Sequence, residues 1–159
     1  MGKHRFMQLK VSLNEIEPKS DLKSKLMQLG IAPLTERIFI PIQILNIDKT
    51  LLLETKAVVD TGAIFSLLPG YLLTQIPNLQ TISYEMWGIV DTKECKIEVE
   101  LANIPVILKD DSNNCSPVVL ITAAFAKKVK VPILLGMKGL LANYSYSFDA
   151  KNKLFMIDF

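Results

Sequence analysis

Four isoleucines spaced two residues apart, Ile38, Ile40, Ile42 and Ile44, set the strongest constraint on how this chain can fold. Apolar residues with a period of two line one face of a pleated strand; they do not gather on one face of a helix. The same spacing returns in "KIEVEL", where Ile97, Val99 and Leu101 alternate with charges as in a half-buried antiparallel strand. Pro41 inside the first run points to an edge position, because proline donates nothing to a ladder. "NIDKT" at 46–50 carries turn chemistry, and "LLLETKAVV" follows as a second strand running into Asp60. "IPVIL", "SPVVLI" and "VPILL" read as further short strands, and "YSYSF" and "LFMIDF" flank "DAKNK" as a closing hairpin. Pro69 suits the first position of a helical turn in "SLLPGYLLTQI". Many short strands separated by turn signals predict an all-β or mostly β barrel or sandwich with a few short helices.

Ahead of these strands, Leu9, Val11 and Leu13 alternate as a strand within residues 5–13. Leu22, Leu26 and Leu29 then fall on one helical face, with Ser20 as N-cap, Gly30 as a stop and Pro33 beyond it. Residues 1–34 are therefore expected to form an N-terminal extension to a domain at 35–159. The chain has 159 residues, half of them hydrophobic, enough for one core. A net charge of +2 with scattered lysines offers no nucleic-acid surface. The apolar runs are too short for a membrane span, and the N-terminal residues lack the apolar run and small-residue site of a signal peptide, so none is expected. Cys95 and Cys115 are expected to be small buried thiols of a reducing, cytoplasmic setting. The lysines at 127, 128 and 130 are expected in a solvated loop.

The inventory removes several chemistries. His4 is the only histidine, so a Ser-His-Asp or Cys-His arrangement would depend on a terminal residue. The chain has neither a set of ligands for zinc nor a glycine-rich phosphate loop, so no metal and no cofactor are expected. What remains is "AVVDTGAIFSLLP", where Asp60 stands between two apolar runs. A buried carboxylate is costly unless hydrogen-bonded. Thr61 brings a hydroxyl, and Gly62 allows amides to approach. Asp91-Thr92 repeats the pair but is followed by Lys93, which reads as a turn. Hydrolysis by carboxylates needs two of them, one acting as acid and one as base. With one Asp-Thr-Gly per chain, the second must come from another copy.

Apolar-apolar-Asp-Thr-Gly-Ala followed by "FSLLP" resembles the active-site segment of retropepsin-like aspartic proteases. "VPILLGMKGLL" resembles the family's late apolar strand, glycine and short helix, and the last sixteen residues resemble its terminal hairpin. The resemblance implies a closed or partly open barrel of short antiparallel strands with one or two short helices, acting as half of a two-fold dimer. It implies that Asp60 is catalytic, supported by Thr61, Gly62 and Ala63 of the active-site loop. It places a substrate-binding flap near "MWGIVDTKEC", with Trp87 and Gly88 at its tip. The implied partners are a second copy of the chain and an extended peptide or protein substrate. Ile64 and Met137 depart from the viral pattern, which puts an acidic residue and an arginine at those places. The other function open to the same fold is a non-catalytic dimerisation or peptide-binding module, latent through residues 1–34.

Overall fold

The computed structural model describes residues 7–16, 20–29, 35–87 and 96–159. Its elements are β1 (Gln8–Ile16), α1 (Ser20–Gln28), β2 (Thr35–Leu45), β3 (Leu51–Val59), β4 (Ser66–Pro69), β5 (Ile82–Trp87), β6 (Lys96–Leu108), β7 (Val119–Ala126), β8 (Leu134–Leu135), β9 (Ser145–Asp149) and β10 (Leu154–Asp158). The strands form one mixed sheet in the order β5-β6-β7-β4-β8-β3-β2-β1-β10-β9. A further pairing of β6 with β2 sets Ile42 opposite Leu108 and closes β2, β3, β8, β4, β7 and β6 into a barrel. Strand β5 hangs outside this ring from β6. The trio β1, β10 and β9 continues from β2 on the other side. Most pairings are antiparallel, as expected, but β3–β8 and β4–β7 are parallel.

The isoleucine face forms the centre. Ile40, Ile42 and Ile44 are fully buried against Leu9, Val11, Ile104, Ile121 and Phe125. Each such side chain contributes about 1.5–3 kcal/mol of transfer free energy. The first strand belongs to this core: β1 pairs with β10 through Leu9 and Val11 and with β2 from Leu13 onward.

Several local expectations need correction. Pro41 does not lie on an edge strand, because β2 is paired on both sides. It occupies the gap where β2 passes from β1 to β6, and its carbonyl accepts from the Lys109 amide at 2.9 Å. The missing N–H falls on that same side, so little pairing is lost. "KIEVEL" and "IPVIL" are one thirteen-residue strand, since Pro105 keeps an extended partner in Leu120. Pro69 is the extended residue that precedes a 3-10 turn at Gly70–Gln75, not its first position. The turn after Gly136 is kinked, with Gly139 at φ 85°. Cys115 is exposed, because Asp110 dictates its loop by accepting from the Ser112 and Asn114 amides, both at 2.8 Å. Cys95 and Asp91-Thr92 lie outside the described residues. Lys127 and Lys128 are not simply solvated: they pair with Glu100 and Glu98 of β6 at 2.7 and 2.6 Å.

Candidate active site

Strand β3 ends at Val59, and Asp60 opens the turn that leads into β4. The turn is built by the aspartate itself. Its Oδ1 accepts the Gly62 amide at 2.9 Å, while its carbonyl accepts the Ala63 amide at 3.3 Å. A side chain on Gly62 would bring a Cβ within 3.3 Å of that carboxylate oxygen. Asp60 and Ala63 are half-buried, whereas Thr61 and Gly62 are exposed. Among the described residues no cation pairs with Asp60. The carboxylate is therefore oriented by an amide and open to solvent on one side.

A second segment, seventy residues later, fixes this turn in place. The amides of Val58 and Asp60 donate to the carbonyls of Ile133 and Leu135, each at 2.9 Å. In return the amides of Met137 and Lys138 donate to the carbonyls of Ala63 and Ile64, each at 2.8 Å. Between these pairs the Gly136 amide donates to the Ser66 hydroxyl at 3.1 Å. A Cβ at Gly136 would overlap the Phe65 carbonyl and stand 2.8 Å from that of Ala63, so only glycine allows the two backbones to meet. The Asp-Thr-Gly turn and the late apolar-apolar-Gly segment, two separate features of the sequence, are thus in direct backbone contact.

Ser66 is a residue that sequence reasoning missed. It is fully buried and shares its strand face with Leu68. The available signal was a hydroxyl on the apolar face of a strand, since a buried hydroxyl demands a partner.

Beside the turn stands the β5–β6 hairpin, where the flap was expected. Trp87 ends β5 opposite Lys96, and Gly88 lies outside the described residues. The hairpin leans on the Asp60 loop through Tyr84, whose ring meets Phe65 edge-on at 5.9 Å. Lys138 places its ammonium 5.5 Å from the centre of the same Phe65 ring. On the opposite face of the hairpin, Glu85 and Glu98 are direct cross-strand neighbours. Lys96 and Lys128 offset this repulsion at 2.5 and 2.6 Å. The Lys127 ammonium beside Glu100, aided by the hydroxyls of Ser83 and Thr81, holds that carboxyl down to about 2.

The described grooves run along this hairpin and between its base and Phe65, and Asp60, half-buried, lines neither. No group of three or more His, Cys, Asp or Glu residues able to hold a metal occurs among the described residues. Nor is any helix among them long and apolar enough to cross a membrane.

Among solved structures, the chain is similar to a retropepsin-like aspartic protease from Rickettsia conorii, at 14% identity over 100% of this chain and 98% of that one, with a TM-score of 0.47. It is also similar to the EIAV protease in complex with the inhibitor HBY-793, at 21% identity over 63% of this chain and 81% of that one, with a TM-score of 0.34. No protein-family model and no curated protein matches the sequence.

Proposed function

We propose that two copies of this chain form a retropepsin-like aspartic endopeptidase, with one Asp60 from each copy making the catalytic pair. The observation that carries this reading is the state of Asp60: a half-exposed carboxylate oriented by the Gly62 amide and paired with no cation among the described residues.

Two such carboxylates brought face to face share one proton, because like charges a few ångströms apart do not both ionise. The ionised one takes a proton from a water as it attacks the scissile carbonyl carbon. The protonated one gives its proton to the carbonyl oxygen, and the resulting gem-diol collapses with proton transfer to the leaving amine. Thr61, exposed beside the carboxylate, is placed to hydrogen-bond across the two-fold axis, and the Gly62 backbone faces the substrate. An extended peptide lies across the axis as an added strand. The β5–β6 hairpin covers it, with Trp87 and Gly88 in or near the closing tip. Residues 35–159 carry this module. An exposed free thiol at Cys115 suits a reducing compartment, the cytoplasm.

Residues 1–34 act in this reading as a stabilising extension, since removing β1 would uncover the facing edges of β2 and β10. The test is cleavage of a peptide library by the purified chain. Cleavage that rises more than linearly with protein concentration and is blocked by a statine-type transition-state mimic is expected. An Asp60→Asn protein that folds, as judged by circular dichroism, should cleave nothing; retained cleavage contradicts the mechanism. Peptide binding without cleavage by the unmodified chain would favour the non-catalytic module.

A further inference from the structure

We propose that the groove beside the Asp60 loop is a substrate subsite that selects a carboxylate-bearing residue, with Lys138 as the specificity-determining cation. The proposal builds on the peptidase reading, which supplies the extended peptide that would occupy the groove.

The groove has a volume of about 780 Å³ and runs from Phe65, on the segment that leaves the Asp60 turn, to the start of β5. One wall is Phe65 with Lys138; the other is the base of the β5–β6 hairpin, with Asn78, Gln80 and Ile82. In the peptidase reading, a peptide that leaves Asp60 along the Phe65 side meets this groove. Among the described residues, Lys138 is the only charged one lining it. No carboxylate among the described residues pairs with its ammonium, whereas Lys96, Lys109, Lys127 and Lys128 are each ion-paired. Its position is nevertheless fixed at both ends. The Lys138 amide donates to Ile64 on the Asp60 loop, and the ammonium sits over the face of Phe65. An ammonium held over a ring keeps its positive charge and its remaining donors available. The rest of the lining is neutral: apolar at Ile82, with amides at Asn78 and Gln80 that can complete the hydrogen bonding of a carboxylate. A lysine side chain entering the same groove would meet an ammonium with no acid to offset it, so discrimination comes from repulsion as well as attraction.

A side-chain carboxylate and the terminal carboxylate of a short peptide share this chemistry. The experiment separates them by using the full chain carrying Asp60→Asn, so that binding is read without turnover. Fluorescently labelled peptide pools, identical except for one position scanned as Glu, Gln or Lys, are titrated with free and with amidated C-termini. The Glu pool is expected to bind about tenfold tighter than the Gln pool at one position, and the Lys pool weakest. In a protein that also carries Lys138→Met the preference should vanish, and with Lys138→Glu it should invert in favour of Lys. If amidation alone removes the preference, the terminal carboxylate is the ligand and Lys138 still reads it. Indifference to charge at every position, or a Glu preference unchanged by Lys138→Met, overturns the proposal. Because Lys138 is exposed, its variants should retain the parent's melting temperature and thereby exclude misfolding as the cause. A charge preference in binding, found alongside an unmodified chain that cleaves nothing, would sink the peptidase reading and leave the subsite standing.

Discussion

The Asp60 turn and the β5–β6 hairpin lie side by side but are held by different kinds of bond. The turn is fixed by backbone to backbone contact: four amides and carbonyls of 133–138 meet 58–64, and Gly136 fits because it has no side chain. The hairpin is an extension of the β6–β7 ladder, and past that ladder only side chains hold it, through the Phe65–Tyr84 contact and the pairs of Lys127 with Glu100 and Lys128 with Glu98. Backbone contacts of this sort have one geometry and little slack, as the catalytic role proposed for Asp60 requires. Long ion-paired side chains can exchange partners at small cost, which suits the lifting element that the proposed function assigns to the hairpin.

This difference predicts a graded series of effects. The largest is expected at Gly136, where a Gly136→Ala side chain would press on the Phe65 carbonyl. Overpacking of that kind costs on the order of 3 kcal/mol, or roughly 6–12 °C in a thermal melt. A melt within a degree or two of the parent would show that the two segments are not locked. Next comes Ser66→Ala, which leaves the buried Gly136 amide without its acceptor. The expected loss is about 1–3 kcal/mol, with catalytic turnover falling more than substrate affinity. Ser66→Thr, which keeps the hydroxyl, should restore part of it.

Effects on the hairpin should be smaller and of another kind. Tyr84→Ala removes the edge-on contact with Phe65, worth about 0.5–1.5 kcal/mol beyond area burial. It should raise KM more than it lowers kcat, and hydrogen exchange should quicken in β5 while the Asp60 turn stays protected. Equal acceleration in both regions would mean that they open as one unit. The smallest effect is pH-dependent. Glu100 has its carboxyl lowered from 4.5 to about 2 by Lys127, Ser83 and Thr81, so its contribution is complete above 4.5 and is lost as the pH falls towards 2. The stability gap between the parent and Glu100→Gln, read from urea midpoints, should therefore narrow over that window. A constant gap would mean that Glu100 contributes through packing alone.

The two regions also differed in how far they could be read from sequence. The turn was legible because its chemistry is local: Asp60 accepts from Gly62 two residues on, and the apolar-apolar-Gly segment carries its own pattern. Alternation likewise revealed the isoleucine face, because burial on one side of a strand imposes a period of two. What stayed hidden depends on partners distant in sequence. Ser66 looks incidental until Gly136 lies across from it, and Pro41 reads as an edge until β1 and β6 are seen to divide one side of β2 between them. The lysines at 127 and 128 find their glutamates only after β6 and β7 have paired. Cys115 was misjudged because cysteine's usual burial yielded to a turn dictated by Asp110.

The central claim is that Asp60 works only in pairs. Mixing the unmodified chain with Asp60→Asn at fixed total concentration, after joint unfolding and refolding, tests it most directly. If catalysis needs a carboxylate from each copy, peptide cleavage falls as the square of the unmodified fraction. A linear fall would show that each chain cleaves with its own Asp60 alone, and would contradict the account.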